Sequence, residues 1–206
     1  FLQERLDRCH SATAFSATLK PYRHFQQLLG FHPEEPGDFV EIPYPFPAEN
    51  LGVWMDTGAD TRYRSRSSSA GRITSLLGRL HGLVPGTWLI FLPSYAYLDL
   101  LLSRMDPDIP VISQTRGMDQ KRRKEFIKAI EDGGSIVFVV SGGVFSEGVD
   151  LKTENLCGAV VVGPSLPGMN LSRKLLAQMY DEREENGFLH AWAIPCIIRV
   201  IQAAGR

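Results

Sequence analysis

The sequence predicts an α/β fold in which helices flank a parallel sheet on both faces. Several short runs are apolar throughout, as in strands buried on both faces of a sheet, and the clearest is Ile136–Val140. Segments with helical periodicity separate these runs, which favours right-handed βαβ crossovers. Polar loops with Gly or Pro follow the runs. In a parallel sheet such loops share one edge, and ligands bind there.

We predict the following elements in chain order. The first part contains a helix at Leu2–Arg8, a strand at Ala12–Leu19, a helix at Tyr22–Leu29, an extended Pro-rich connector at residues 31–50 and a strand at Leu51–Met55. The second part alternates, with helices at Ser69–Leu83, Ala96–Met105, Met118–Ile130 and Leu171–Glu184 and strands at Thr87–Leu92, Val111–Ser113, Ile136–Val140, Cys157–Gly163 and Leu189–Ile194. A last helix follows, with Pro195 in its first turn.

Composition limits the class of protein. The chain has 206 residues, is 44% hydrophobic and has a net charge of -1, so it can bury a full core as one domain over residues 1–206. The charge balance excludes a strongly basic protein that coats polynucleotides, although a local basic patch can still bind nucleic acid. The chain begins at Phe1 inside one helical pattern and ends at Arg206 inside another. We therefore expect a part of a longer polypeptide.

Cysteine usage and hydropathy predict the compartment. Cys9, Cys157 and Cys196 are far apart, which argues against a disulfide framework or a closed zinc site. The histidines show no spacing typical of metal ligands, so we expect no metal site in this chain. No apolar run approaches the roughly 20 residues of a membrane span. We expect a globular cytoplasmic protein with no membrane partner.

A basic cluster at Asp60–Arg66 places Tyr63 between Arg62 and Arg64. Such interleaving suits phosphate contacts combined with base stacking. A solvated loop before the next helix is the simpler interpretation, so these residues are left out of the predicted contacts.

Motif searches exclude several chemistries. A nucleophile elbow around Ser146 would need Gly two residues on either side, and Gly148 fits while Val144 does not. Neither the dinucleotide fingerprint nor the phosphate-binding P-loop occurs in the sequence. The chain by itself therefore cannot hold a nucleoside triphosphate in the usual P-loop manner.

The stretch Ser141–Asp150 follows the clearest strand and is rich in glycine. Glycine lets the backbone approach a ligand closely, and Glu147 and Asp150 supply carboxylates at the carboxyl end of that strand. A turn without a ligand is the alternative, and Glu147 could equally cap the turn that follows.

These loops together resemble the motifs of superfamily 2 helicases in the iron–sulfur, XPD-like branch. Ser141–Asp150 resembles motif V, and Gln202–Arg206 resembles the start of motif VI. Phe15–Leu19 resembles motif III and Leu89–Tyr95 resembles motif IV. Two further stretches, Gln114–Met118 and Ala159–Pro167, are similar specifically to the bacterial DinG-type members. The motifs occur in the order of the family and cover the chain from Phe15 to Arg206.

The resemblance implies a RecA-like sheet that serves as the second motor domain of an ATP-dependent DNA helicase active in DNA repair. ATP and Mg would be bound jointly with the N-terminal motor domain of the same polypeptide, and single-stranded DNA would be the partner of a monomer. Gln202 and Arg206 would act on the γ-phosphate, where an arginine neutralises developing charge. The other implied residues are Glu147, Gly148, Asp150 and Gly205 at the nucleotide, Ser94, Tyr95, Gln114, Thr115, Arg116, Ser141 and Gly142 at the DNA, and Ser16, Ala17 and Thr18 in coupling.

Some positions and functions stay open. Trp88 and Tyr95 are also typical core residues. The cysteines do not match the iron–sulfur pattern, so a cluster is expected only upstream, with the P-loop and the acidic metal-binding box, and the second arginine of motif VI would follow Arg206. A non-catalytic module that binds nucleic acid or a partner protein, an RNA-acting superfamily 2 enzyme and a nucleotide-independent α/β domain remain as alternatives.

Overall fold

Four parallel strands form the central sheet. They are β1 (Thr87–Leu92), β2 (Val111–Ser113), β3 (Ile136–Val140) and β4 (Leu156–Val161). Their order across the sheet is β2-β3-β1-β4, and all neighbours pair in parallel. The computed structural model describes residues 2–31, 39–43, 45, 47–143, 145 and 155–205. The predicted parallel α/β class is confirmed.

The chain divides into two compact units, Phe1–Asp56 and Thr57–Arg206. The first unit contains α1 (Leu2–Leu6), α2 (Tyr22–Leu29) and a 3-10 turn at Ala48–Asn50. The strands predicted at Ala12–Leu19 and Leu51–Met55 are wrong, since both stretches are irregular. Phe15, Val53 and Trp54 are exposed there. The β propensity of such residues reports how well they fit a half-buried pleated surface, which these stretches do not have.

Five helices belong to the second unit. They are α3 (Arg66–Leu83), α4 (Tyr95–Leu102), α5 (Gln120–Glu131), α6 (Leu171–Asp181) and α7 (Ile194–Ala204). Three of them begin at polar N-cap residues whose side chains accept a hydrogen bond from the backbone N–H three residues later, namely Ser94, Asp119 and Asn170. These caps satisfy N–H groups that have no partner inside the helix. All five helices, α3 to α7, lie within a few residues of their predicted positions.

Alternation along the two central strands buries the sheet on both faces. Ile90 and Leu92 of β1 point into one core with side chains of α3 and α4, while Leu89 and Phe91 point into the other core with side chains of α5 and α7. The same alternation holds along β3. Strands that are apolar at every position therefore need helices on both sides, as predicted.

The strand predicted at Leu189–Ile194 is wrong, because Leu189–Ala193 forms a π-helical turn that continues into α7. A short apolar run fits a strand and a buried helix equally well. The side chains decide between the two. Ala191 and Ile194 are buried at a spacing of three residues, and His190 stacks on Tyr180 with ring centroids 4.0 Å apart.

Two further findings concern the described part of the chain. Among its helices, none has the length and apolar character that a bilayer span requires. Its three cysteines are all free thiols, with Cys9 exposed and Cys196 buried.

Candidate functional site

The loops after the four strands lie together at the carboxyl edge of the sheet. They begin at Pro93 after β1, Gln114 after β2, Ser141 after β3 and Val162 after β4. Since neighbouring strands are about 4.8 Å apart, the edge extends roughly 14 Å from the loop after β2 to the loop after β4. The predicted DNA-contacting residues lie in the first three of these loops, apart from Tyr95, which is the first residue of α4.

Gln114 joins these three loops. Its side chain is only 7% exposed. The amide nitrogen donates to the hydroxyl of Tyr95 at 2.9 Å, and the amide oxygen accepts from the backbone N–H of Val140 at 2.9 Å. A buried carboxamide with both ends hydrogen-bonded holds its neighbours in fixed positions. Gln114 thus fixes Tyr95 relative to the end of β3.

The guanidinium group of Arg116 packs over the ring of Tyr95. The guanidinium carbon of Arg116 lies 4.7 Å from the ring centroid, within the range of a cation–π contact. Arg116 and Thr115 are exposed, whereas Tyr95 is half-buried. Tyr95 therefore belongs to the edge and not to the interior, and Arg116 presents a positive charge to solvent there. Trp88 packs against the core formed with α3 and α4, in agreement with its interpretation as a core residue.

The loop after β3 is bound to the neighbouring strands by its backbone. Ser141 donates its N–H to the carbonyl of Leu92 at 2.8 Å. Gly142 has a φ of 74°, a left-handed conformation that glycine adopts without strain. A Cβ atom at Gly142 would lie 2.9 Å from the guanidinium carbon of Arg199. The backbone conformation thus favours glycine here, and a larger residue would also have to displace the Arg199 side chain.

Arg199 is a site residue that the sequence analysis missed. It lies in the middle of α7, is half-buried, and donates a long hydrogen bond of 3.4 Å to the carbonyl of Ser165, in the loop after β4. Arg199 therefore contacts the loops after β3 and β4 at once. A signal was present in the sequence, because Arg199 is the only charged residue of α7. A single charged residue on an apolar helix indicates a polar partner, because burial of an unpaired charge is unfavourable.

The helix α7 also carries predicted nucleotide residues. Gln202 lies three residues after Arg199, about one helical turn further along, and is half-buried. Gly205 ends the helix and donates its N–H to the carbonyl of Ile201 at 3.0 Å. One helix thus connects the predicted phosphate-contacting residues to the loops predicted to contact DNA. Near Arg199, burial raises the pKa of the Cys196 thiol.

Several predicted residues lie outside the described part of the chain. They are Glu147, Gly148, Asp150 and Arg206, which leaves the predicted nucleotide site represented by Gln202 and Gly205 alone. Ser16, Ala17 and Thr18 belong to the first unit, where the Ser16 hydroxyl accepts a hydrogen bond from the N–H of Thr18 at 3.3 Å. The described residues contain no group of three or more His, Cys, Asp or Glu side chains that could hold a metal ion.

Comparison with protein families decides what kind of domain this is. Residues 77–206 match the family described as the helicase C-terminal domain. The chain belongs to the helicase C-terminal domain family. The match covers the whole sheet, the carboxyl-edge loops and α7, which carry most of the resemblance, whereas Phe15–Leu19, the stretch that resembles motif III, lies outside the match.

Two curated relatives of this helicase domain are themselves helicases. The ATP-dependent DNA helicase CHL1 of Candida albicans (strain SC5314 / ATCC MYA-2876) is 24% identical over 206 residues, which is 89% of this chain and 24% of the relative. The regulator of telomere elongation helicase 1 homolog of Drosophila persimilis is 30% identical over 112 residues, which is 48% of this chain and 11% of the relative. The chain thus spans about a quarter or less of the length of these relatives.

Solved structures show the same fold. XPD_APO and XPD_Helicase each match with a TM-score of 0.58, at 21% and 22% identity, and cover 71% and 72% of this chain and 30% and 27% of theirs. The structure of S. tokodaii Xpd4 matches with a TM-score of 0.53 at 19% identity and covers 72% of this chain and 29% of that chain. This likeness confirms the predicted RecA-like sheet, and the family match confirms the predicted helicase C-terminal domain.

Proposed function

We propose that this domain is the second motor domain of a DinG-type, ATP-dependent DNA helicase. The single observation that carries the proposal is the placement of Arg199 on α7. This residue contacts Gly142 and Ser165 at the carboxyl edge, while Gln202 on the same helix and Arg206 after its end are the residues implied at the γ-phosphate. A change at the phosphate can therefore be transmitted to the loops that follow the strands.

The proposal assigns ATP to a cleft between this domain and an N-terminal motor domain of the same polypeptide. We assign Gln202, Gly205 and Arg206, with Glu147, Gly148 and Asp150, to nucleotide binding on this side of the cleft. An arginine that reaches across the cleft stabilises charge on the transferred phosphoryl group. Magnesium supplies further charge neutralisation when bound, and its ligands, like any iron–sulfur cluster, are assigned to the upstream part of the polypeptide.

Single-stranded DNA is the proposed polymer, bound largely without sequence preference across the carboxyl edge. The exposed Arg116 on Tyr95 provides positive charge for phosphates, and the loop at Ser141 and Gly142 allows close approach of the DNA backbone. Support for DNA comes from the curated relatives, one of which is an ATP-dependent DNA helicase. We propose a monomeric, cytoplasmic enzyme of DNA repair without a membrane partner.

The experiment is an ATPase measurement on the full-length protein with and without single-stranded DNA. We expect strong stimulation by DNA, and a loss of about 10³-fold in turnover in Arg206→Ala. Arg79→Ala is the matched control, because it removes the same charge from the exposed far half of α3. Stimulation by RNA alone would favour an RNA-acting enzyme, and no stimulation by either polymer would favour a binding module.

A further inference from the structure

A second aromatic and cationic pair lies at the other end of the carboxyl edge, in the basic cluster Asp60–Arg66. Thr61 contacts the loop after β4, since a Cβ atom at Gly163 would lie 2.8 Å from the Thr61 Cβ. The helix α3 follows the cluster, and its first residue, Arg66, contacts the ring of Tyr97 at the start of α4, so Arg66 also lies at the carboxyl edge. The cluster thus belongs to the same surface as the predicted DNA-contacting loops.

Arg66 is held between two tyrosine rings. Its guanidinium carbon lies 4.6 Å from the ring centroid of Tyr97 and 5.5 Å from that of Tyr63, and its Nε donates to the carbonyl of Thr61 at 3.4 Å. Tyr97 is 1% exposed and anchors the stack in the core, whereas Tyr63 is 84% exposed. The stack leads outward from the core to an aromatic ring that is open to solvent. This order holds the Tyr63 ring in place without covering it.

The stack adjoins a predicted DNA-contacting loop directly. Tyr97 donates its backbone N–H to the hydroxyl of Ser94 at 3.3 Å, in the loop after β1. Tyr95, next in the chain, carries Arg116 on its own ring. Two arginine–tyrosine pairs therefore lie on the carboxyl edge, one beside β2 and one beside β4.

Charge favours an anionic polymer at this second pair. Asp60 and Arg62 form an ion pair with 2.7 Å between Oδ2 and Nη2. The negative charge of Asp60, the one acidic residue of the cluster, is therefore balanced by Arg62. The hydrogen bond from Arg62 holds the pKa of the Asp60 carboxyl well below its usual range. Arg64 is exposed. From Thr61 to Gly71 the sequence has three arginines (Arg62, Arg64 and Arg66) and no acidic residue, in a chain whose net charge is -1.

We propose that Tyr63, backed by Arg66 and Tyr97, is a base-stacking platform for single-stranded DNA, and that Arg64 contacts a phosphate beside it. The inference rests on the proposed function. It extends the proposed DNA-binding surface from the loop after β1 to the residues beside the loop after β4. Every base has a π-face, so an open ring with cations beside it binds bases without sequence preference.

The test measures the affinity of the full-length protein for a thymidine oligonucleotide of about 20 residues, by fluorescence anisotropy at several salt concentrations. Tyr63→Ala should weaken binding by about 5- to 100-fold, whereas Tyr63→Phe, which keeps the ring, should bind like the wild type. Arg64→Ala should reduce the slope of log affinity against log salt by about 0.7, the value of one single-strand phosphate contact. Arg79→Ala should leave both the affinity and the slope unchanged.

The outcomes separate the two proposals. If the wild type binds the oligonucleotide while Tyr63→Ala and Arg64→Ala bind equally well, the platform is overturned and the proposed function stands. If the wild type does not bind single-stranded DNA at all, both proposals fall. Because Tyr63 is mostly exposed, its variants should keep the wild-type Tm, and the KM for ATP should not change.

Discussion

At the scale of single residues, the structure of the carboxyl edge depends on buried side chains that fix its loops as well as on side chains that face solvent. Gln114 is buried and bonds to the first residue of α4 and the last residue of β3, while Arg199 of α7 approaches the loops after β3 and β4. Gln114 was predicted as a direct DNA contact, and that role remains a prediction. Its burial indicates that it also acts by fixing Tyr95, whose ring carries the exposed Arg116.

Gln114→Leu should therefore destabilise the domain. The substitution keeps the approximate volume but leaves the N–H of Val140 without its side-chain acceptor, which costs about 1–3 kcal/mol in the free energy of unfolding. Urea denaturation of the full-length protein measures this. Gln178→Ala, which removes an exposed hydrogen bond to Glu182, is the control and should change stability by less than about 0.5 kcal/mol. Equal effects of the two variants would contradict the bridging role of Gln114.

Gly142→Ala should also be destabilising, by about 1–2 kcal/mol, because alanine resists the left-handed conformation. The added methyl group would in addition displace Arg199. Gly168→Ala is the control, since a Cβ there meets no atom within 4 Å. Repeating Gly142→Ala in an Arg199→Ala background should give a smaller loss, and an identical loss would show that the contact with Arg199 is not responsible.

At the scale of elements, the segment before α7 shows how a proline determines local structure. In an α-helix the carbonyl of Ala191 would accept from the N–H of residue 195, which is Pro195 and has no N–H. Arg173 of α6 supplies a donor instead, with its Nη1 2.6 Å from the Ala191 carbonyl. The π-helical turn at Leu189–Ala193 precedes this point, as expected where a regular helix ladder is interrupted.

Arg173→Ala should thus cost about 1–3 kcal/mol in the free energy of unfolding, because a partly buried carbonyl loses a charged donor. Thermal or urea denaturation measures the change. Lys174→Ala removes a neighbouring exposed charge from the same helix and should have almost no effect. A loss in Arg173→Ala no larger than that in Lys174→Ala would mean that the carbonyl finds another donor.

At the scale of the whole molecule, the proposed function gives this domain only part of an ATP site. The sequence contains no P-loop, and the described residues contain no candidate metal cluster. We therefore propose that the groups that bind β- and γ-phosphates belong to another domain of the polypeptide. The arrangement suits a cleft that closes when ATP connects two domains.

Residues 1–206 alone should therefore show no ATP turnover, while the full-length protein does. A coupled assay for ADP release compares the two preparations. Arg206→Ala in the short preparation is the check against a contaminating ATPase, since a contaminant would leave the measured rate unchanged. Turnover by residues 1–206 that Arg206→Ala abolishes would contradict the prediction.

The fold class, four of the strands and the helicase family were predictable from the amino-acid sequence, because each depends on local patterns. A run that is apolar at every position, such as Thr87–Leu92, leaves few alternatives to a doubly covered strand. Glycines at fixed positions after a strand form a motif that can be recognised in the sequence alone. For the same reason, the ordered set of loops was sufficient to predict the helicase domain.

Contacts between residues far apart in the chain could not be predicted in this way, because they depend on how the elements pack. Leu189–Ile194 has the composition of a strand, but it packs as a helix because Ala191 is buried and its carbonyl is satisfied by Arg173, 18 residues away in sequence. Leu51–Met55 has no packing surface and stays irregular. The contact of Arg199 with Gly142 and the stack of Tyr97, Arg66 and Tyr63 join residues far apart in the chain. No local pattern encodes such contacts, since they exist only when separate elements pack together.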